Sequence, residues 1–317
     1  MPERVVTNEE LAPRIGTTPD WIEQRTGILQ RHYIGEGESN TSLATEASRQ
    51  ALDDAGWEAA QIDAIILSTL SADAVFPGVG VMLAAQLGLR STPALDVRNQ
   101  CSGFLYGLSV ADAWLASGRY QRVLLVGSEV HSTSLDYSER GRNVTALFGD
   151  GAAAVCLEWD DGAEGVIDVR LGADGTGAEL LWCEVPSARL HPSTTPTYLG
   201  EGRQYPRMSG RAVFKRAVEV LEREVSAILD QHVEARDDVL VVPHQANKRI
   251  TELVAKRLGL AEEQIVSTIE GFGNTTAASI PTALDVARRD GRAHPGRVVV
   301  LAAFGSGFTW GTSVWRM

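Results

Sequence analysis

The sequence predicts an alternating α/β chain built as two similar halves. Short aliphatic runs alternate with longer stretches whose apolar residues recur at helical spacing. The alternation pauses near residue 160 and then restarts with the same rhythm. The chain has 317 residues, about twice the typical 150-residue domain. The halves are assigned to residues 1–160 and 161–317.

The elements follow in order. Thr41 to Gly56 places Leu43, Ala44, Ala47, Ala51, Leu52 and Ala55 on one helical face, and Gly56 ends the helix. Ile62 to Leu70 is a short aliphatic run and reads as a buried strand. Val79 to Leu89 reads as a helix, Ala94 to Val97 as a strand, and Phe104 to Leu115 as a helix closed by Gly118. Arg122 to Val126 and Ala152 to Leu157 are strands. Helices of this length between strands call for parallel pairing with helices on the sheet faces. In the second half Gly165 to Leu171 is a strand and Val213 to Leu229 a long amphipathic helix. Then come a strand at Val239 to Val242, a helix at Lys248 to Leu258 and a short strand at Ile265 to Ile269. A helix at Thr275 to Arg289, a strand at Val298 to Ala303 and a last strand from near Thr312 complete the chain. The stretch Pro186 to Pro206 also holds Pro192 and Pro196 among Gly, Ser and Thr. It is too long and irregular for a simple connection, and reads as a functional or mobile loop.

Composition narrows the function. Hydrophobic residues make up 44% and charged residues 22%, which is ordinary globular usage. The net charge of −12 argues against nucleic acid and anionic membranes as partners, because both need a basic face. No window holds 18 consecutive apolar residues, so no membrane insertion is expected. Cys101, Cys156 and Cys183 are odd in number and lack a CxxC pair, which disfavours a disulfide framework or a zinc cage. Met1 to Gly16 has no basic-then-apolar signal pattern. The expectation is a cytoplasmic protein with no metal site.

Four places carry candidate chemistry. Cys101 lies in Ala94-Leu-Asp-Val-Arg-Asn-Gln-Cys-Ser-Gly-Phe104, where a strand runs in and a helix runs out. A helix N-terminus favours thiolate, although a buried cysteine also serves as a small hydrophobe. Cys156 and Cys183 read as structural. His244 ends the strand Asp238-Val-Leu-Val-Val-Pro-His244, where ligands of α/β sheets sit. His32, His131, His191, His232 and His294 lie in loops or polar contexts and read as surface. Asn274 lies in Gly271-Phe-Gly-Asn-Thr275 at a helix start, a position that a capping asparagine also fills. Phe304-Gly-Ser-Gly-Phe308 follows an aliphatic strand and offers backbone N–H groups to an oxyanion. Three polar residues at strand ends of one α/β fold can converge on one pocket. There a thiolate attacks an acyl carbon, and neutral His and Asn donate to an enolate. Papain-like proteases share the order Cys, His, Asn, but this chain lacks their Cys-Gly-Ser-Cys-Trp run.

These residues resemble the β-ketoacyl-acyl carrier protein synthase III family of the thiolase-like superfamily. The matching segments are Asp20-Trp-Ile-Glu-Gln-Arg-Thr-Gly27, Asn99-Gln-Cys-Ser-Gly-Phe104, Phe148-Gly-Asp-Gly151, Pro243-His-Gln-Ala-Asn247, Gly273-Asn-Thr275 and Phe304-Gly-Ser-Gly-Phe-Thr-Trp-Gly311. The resemblance implies a five-layer αβαβα fold of two pseudo-duplicated halves with mixed five-stranded sheets, and a homodimer. It implies an acyltransferase with a Cys101–His244–Asn274 triad. An acyl-CoA starter would acylate Cys101, and malonyl-acyl carrier protein would then condense with loss of CO₂, starting a fatty-acid or polyketide chain. The alternative within the superfamily is a tailoring acyltransferase or a head-to-head acyl condensing enzyme. No cofactor beyond these substrates is implied. The backbone N–H groups of Cys101 and Ser306 would form the oxyanion hole. Trp21, Arg25, Arg140 and Asn247 would bind CoA, and Phe304 would line the acyl pocket. Phe76 would cross the dimer interface to floor that pocket. Lys215, Lys248, Arg249, Lys256 and Arg257 would dock the acidic carrier protein.

Three features depart from the family pattern. Gly305-Ser-Gly307 replaces a run of three glycines, which keeps a backbone donor and adds a side chain. The Pro186–Pro206 loop is longer than in compact members and reshapes the acyl entrance. Family members carry a further strand before Pro2 to Asn8, so an unpaired edge in the first sheet is expected.

Overall fold

The aliphatic runs pair into two mixed sheets. In the computed structural model, which describes residues 1–161 and 165–317, the first half runs β1 (Val5–Thr7), α1 (Asn8–Leu11), α2 (Pro19–Thr26), β2 (Gln30–His32), α3 (Asn40–Ala55), β3 (Ala64–Ser68), α4 (Val79–Gln86), β4 (Ala94–Val97), α5 (Gly103–Ala116), β5 (Arg122–Glu129), α6 (Arg142–Thr145) and β6 (Gly151–Glu158). The second half runs β7 (Val166–Ala173), β8 (Leu181–Trp182), α7 (Pro196–Gly200), β9 (Arg207–Met208), α8 (Gly210–His232), β10 (Leu240–Pro243), α9 (Lys248–Leu258), α10 (Ile269–Phe272), α11 (Ser279–Arg289), β11 (Val298–Gly305) and β12 (Thr309–Arg316).

The first sheet has the order β4-β3-β5-β6 and the second β10-β11-β12-β7. In both, two parallel strands precede an antiparallel one: β3 and β5 then β6, β10 and β11 then β12. This shared connectivity is the duplication that the sequence rhythm announces. Each sheet has four strands among the described residues, rather than the expected five. The strand expected at Ile265–Ile269 shrinks to a single bridge between Ile265 and Val241, because Ile269 already starts α10. In the second sheet β7 covers the outer edge of β12, whereas the equivalent edge of β6 has no strand beside it among the described residues. β1 pairs only with β2. The proline-rich stretch is more ordered than its composition suggests. It holds α7 and is clamped at its base by the β8–β9 pair.

Side-chain alternation builds the layers. Ala64 and Ile66 of β3 face a central layer of α5 and α11, which also receives Val242 of β10 and Leu301 of β11. Ile65 and Leu67 face the other way, onto Leu52 of α3 and Leu83 of α4. In the second half Val241 and Val300 pack on Val218, Leu221 and Val225 of α8 and on Ile250 and Val254 of α9. The result is five layers, with α5 and α11 buried between the two sheets.

The halves cross over where the strands end. The turn Gln100–Ser102 before α5 packs on β11, and the turn Thr276–Ala278 before α11 packs on β5. A glycine opens each approach. A Cβ on Gly305 would lie 3.0 Å from the Cys101 nitrogen, and one on Gly127 would collide with the Ala277 carbonyl. Gly127→Ala is therefore expected to destabilise the fold by about 1–3 kcal/mol in urea unfolding, with Gly175→Ala, which meets no neighbouring atom, as the near-neutral control.

Candidate active site

The crossover brings the candidate residues together. Cys101 is buried in the turn after β4. Gln100, just before it, takes the left-handed conformation at φ 48°, which a non-glycine residue adopts only when its surroundings impose it. The backbone N–H groups of Cys101 and Ser306 face the Cys101 sulfur and favour its ionised form. The Ser306 segment is pinned from both halves. The Thr309 hydroxyl donates to the Ser306 carbonyl (3.2 Å) and lies 2.7 Å from the Ser102 hydroxyl.

His244 follows β10 directly, and its N–H donates to the Ala302 carbonyl of β11 (2.7 Å). Its Nδ1 is 2.6 Å from the Ser279 hydroxyl, which also accepts the Gln245 N–H at 3.3 Å. The Ser279 hydroxyl meets no other acceptor among the described residues, so its proton is directed at Nδ1. The ring proton then resides on Nε2, which has no hydrogen-bond partner among the described residues. Asn274 is held by its backbone: its N–H donates to the Leu147 carbonyl (2.9 Å) and its carbonyl accepts the Gly149 N–H (3.0 Å). Its Oδ1 accepts the Thr276 N–H (2.9 Å), which leaves the amide NH₂ as the free end. The Phe148-Gly-Asp-Gly151 motif thus acts as the support of Asn274.

Other expected residues fall in separate places. Arg25 lies over the Trp21 ring, 4.9 Å from its centroid, and so does Arg142 at 5.3 Å. Arg140 is elsewhere. It pairs with Asp136 (2.7 Å), donates to the Glu201 carbonyl and lies over Tyr205. Asn247 uses its side chain structurally, as the cap of α9 and as donor to the Arg25 carbonyl (2.9 Å). Phe304 is buried against Phe308. Phe76 is 84% exposed on the loop before α4. Among the basic residues, Lys248 pairs with Glu270, Arg257 with Glu222 and Lys215 with Glu219. Arg249 lies over Phe214 of α8, so the first turns of α8 and α9 share one rim. Cys183 is exposed and Cys156 half-buried on β6, both as free thiols. Among the described residues no helix is long and apolar enough to cross a membrane.

Models of the family described as 3-oxoacyl-[acyl-carrier-protein] synthase III match residues 95–175, and those of its C-terminal region match 229–317. A β-ketoacyl-[acyl-carrier-protein] synthase III of Erythrobacter litoralis is 45% identical, covering 100% of this chain and 96% of its own. One from Bordetella petrii is 43% identical, covering 100% and 95%. The solved 3-oxoacyl-[acyl-carrier-protein] synthase III of Aquifex aeolicus superposes with a TM-score of 0.90 at 35% identity, covering 100% of this chain and 97% of that one. The priming β-ketosynthase of the R1128 polyketide pathway superposes at 0.91 with 33% identity, covering 100% and 93%. The chain belongs to the β-ketoacyl-acyl carrier protein synthase III family. It is therefore an acyltransferase-type condensing enzyme with the thiolase-like fold.

This synthase III site holds two residues that the sequence reading passed over. His131 was expected at the surface, yet it is only 7% exposed. It stacks on Phe148 at 4.3 Å, and its Nε2 lies 2.5 Å from the Thr276 hydroxyl and 3.7 Å from Glu129. Glu129 is fully buried and accepts from the Leu70 N–H (2.9 Å) and the Ser71 hydroxyl (2.9 Å). Glu129 ends β5 and His131 follows it in Val126-Gly-Ser-Glu-Val-His131, a strand end like those before Cys101 and His244.

Burial keeps the centre neutral. Desolvation pushes the Cys101 thiol up to about 12, with a further rise from nearby Glu129, against the pull of the two N–H groups. The resting site therefore holds a thiol, not the thiolate that the helix end alone suggests. Desolvation lowers His131 and His244 to about 3 and raises Glu129 to about 8. The 3.7 Å contact of His131 and Glu129 is thus one of neutral groups.

The pH consequences have opposite signs. The histidines resist protonation in the fold, so stability falls as pH drops from 6.5 towards 3. Glu129 resists ionisation, so its contribution is present below 4.5 and is lost as pH rises through about 8. Glu129→Gln removes the second effect. The stability of the variant relative to the native chain should rise between about pH 5 and about pH 8 in urea titrations, and a constant difference would mean that Glu129 is ionised in the fold.

Proposed function

We propose that the chain condenses an acyl-CoA starter with malonyl-acyl carrier protein through an acyl-Cys101 intermediate, starting fatty-acid or polyketide chains in the cytoplasm. The observation that carries this reading is the donor arrangement. Two backbone N–H groups converge on the Cys101 sulfur, and two neutral side-chain donors, His244 Nε2–H and Asn274 NH₂, have no hydrogen-bond partner among the described residues.

The steps follow from these groups. The Cys101 sulfur attacks the thioester carbonyl of acyl-CoA, and the Cys101 and Ser306 N–H groups hold the developing oxyanion. The C–S bond to CoA breaks, and the CoA sulfur leaves with the proton that the Cys101 thiol gave up. The malonyl thioester then loses CO₂, and its C–C bonding pair becomes an enolate. His244 and Asn274 donate to the enolate oxygen, a task that needs donors and no strong base. The enolate carbon attacks the acyl-enzyme, and the Cys101 sulfur departs and is reprotonated. No metal or organic cofactor takes part.

Binding follows the same reading. Trp21, Arg25 and Arg142 receive the CoA adenine and phosphates, with Arg142 taking the place assigned to Arg140. Phe304 borders the acyl pocket. In a homodimer the exposed Val75 and Phe76 would be covered by the second subunit and reach its pocket. The carrier protein docks on the rim of α8 and α9, where Arg249 and Lys256 make no ion pair among the described residues and Lys215, Lys248 and Arg257 are partly neutralised by their partners.

Mass spectrometry tests the chemistry. Acyl-CoA should add one acyl mass to the native protein, and Cys101→Ala should abolish it. His244→Ala and Asn274→Ala should still acylate while losing CO₂ release from malonyl-carrier protein by about 100-fold or more. No adduct with any acyl-CoA would sink the reading, and condensation without malonyl-carrier protein would favour the head-to-head alternative. For docking, Arg249→Glu should raise the carrier KM about fivefold or more at low salt, leave kcat unchanged, and lose its effect as salt rises.

A further inference from the structure

The enolate donors described above leave one buried group unused. His131 sits beside them, yet it contacts neither Cys101 nor a free edge of the pocket. Its partner is Thr276, the second of the two non-glycine residues with positive φ among the described residues, at φ 50°. For a β-branched residue this conformation is strained and needs an anchor. Gln100 and Thr276 hold equivalent places in the two halves, each opening the tight turn before a central helix.

The strain at Thr276 has a consequence for Asn274. The backbone of Asn274 is fixed by Leu147 and Gly149, so the remaining freedom is the direction of its amide. An amide flip would present a carbonyl to the enolate instead of NH₂. The Thr276 N–H prevents this by bonding Oδ1 at 2.9 Å, from the peptide that leads into the left-handed residue. Among the described residues two hydrogen bonds hold this geometry: that bond of the backbone N–H, and the 2.5 Å bond of the hydroxyl to His131 Nε2. His131 is itself immobilised. Its N–H donates to Asp150 (2.7 Å), its ring rests on Phe148, and Glu129 stands behind it.

We propose that His131 is a positioning residue for the condensation step. Through the Thr276 hydroxyl it holds the left-handed turn whose N–H keeps the Asn274 amide facing the enolate with NH₂. Acyl transfer to Cys101 uses a different pair of donors and does not depend on it. The catalytic consequence rests on the reading under Proposed function, whereas the geometric one does not.

The test uses the full-length protein with two variant pairs. His131→Phe keeps the ring on Phe148 and removes the nitrogen, and His131→Gln restores a polar atom near Nε2. Thr276→Val removes the hydroxyl from the other end and guards against misfolding of the first variant. Single-turnover acylation by acyl-CoA should stay within about twofold in all of them, while condensation kcat falls about tenfold in His131→Phe and Thr276→Val, at unchanged carrier KM. His131→Gln should recover most of the rate. Adding Thr276→Gly to His131→Phe should also recover rate, because glycine adopts positive φ without an anchor. Without substrate, exchange of the Thr276 amide measured by NMR should accelerate about tenfold in His131→Phe and Thr276→Val, with neighbouring core amides unchanged. Equal losses in both half-reactions, or unchanged Thr276 exchange, would overturn the proposal. A native protein that neither acylates nor condenses would defeat the functional reading, and the exchange measurement would still decide the positioning.

Discussion

The structure depends on one reciprocal contact. The end of β11 from the second half closes on the Cys101 turn of the first, and the end of β5 from the first half closes on the Thr276–Ala278 turn of the second. Both approaches need a strand residue without a side chain, Gly305 in one case and Gly127 in the other. Because close-packed interiors transmit a shift of tenths of an ångström, neither turn can move alone. Cys101 lies at one of these contacts; Asn274 and Ser279, the partner of His244, flank the turn at the other. Five layers of packed helices and sheets serve to hold the two contacts in register.

Neutrality is the second organising feature. Cys101, His131, His244 and Glu129 are ionisable, and all are kept uncharged by burial. A site that must generate an oxyanion and then an enolate gains from this state, since fixed donors act most strongly where no water and no competing charge screens them. An ionised Glu129 would oppose both anions. Its protonation makes the space behind Cys101 electrostatically quiet at neutral pH.

The charge distribution separates reaction from recognition. The chain carries −12 overall, but Lys215 of α8 and Lys248, Arg249, Lys256 and Arg257 along α9 gather positive charge on these two packed helices. Ion pairs to Glu219, Glu222 and Glu270 reduce that group to fewer free cations than the sequence count suggests. Steering of an acidic carrier would then rest on Arg249 and Lys256 more than on the total. The same economy of placement separates Arg142, over Trp21, from Arg140, which braces the loop around Glu201 and Tyr205.

Much of this was legible in the sequence. Aliphatic runs separated by amphipathic ones determine the α/β class and the duplication, because strand and helix periods are local properties. The positions of Cys101 and His244 beyond strand ends were also readable, since each follows an aliphatic run, whereas Asn274 follows α10 and not the strand expected there. What the sequence left open depends on contacts between distant segments. The helix N-terminus suggested a Cys101 thiolate, but burial, a property of the whole fold, keeps the thiol protonated. His131 looked like a surface loop residue because nothing nearby in sequence marks it, and only the packing of β5 against the α11 turn brings Thr276 to it. Local periodicity determined which elements form. Tertiary structure alone decided which of their ends meet, because that choice is made by the two glycine-lined crossings of the halves and not by any single segment.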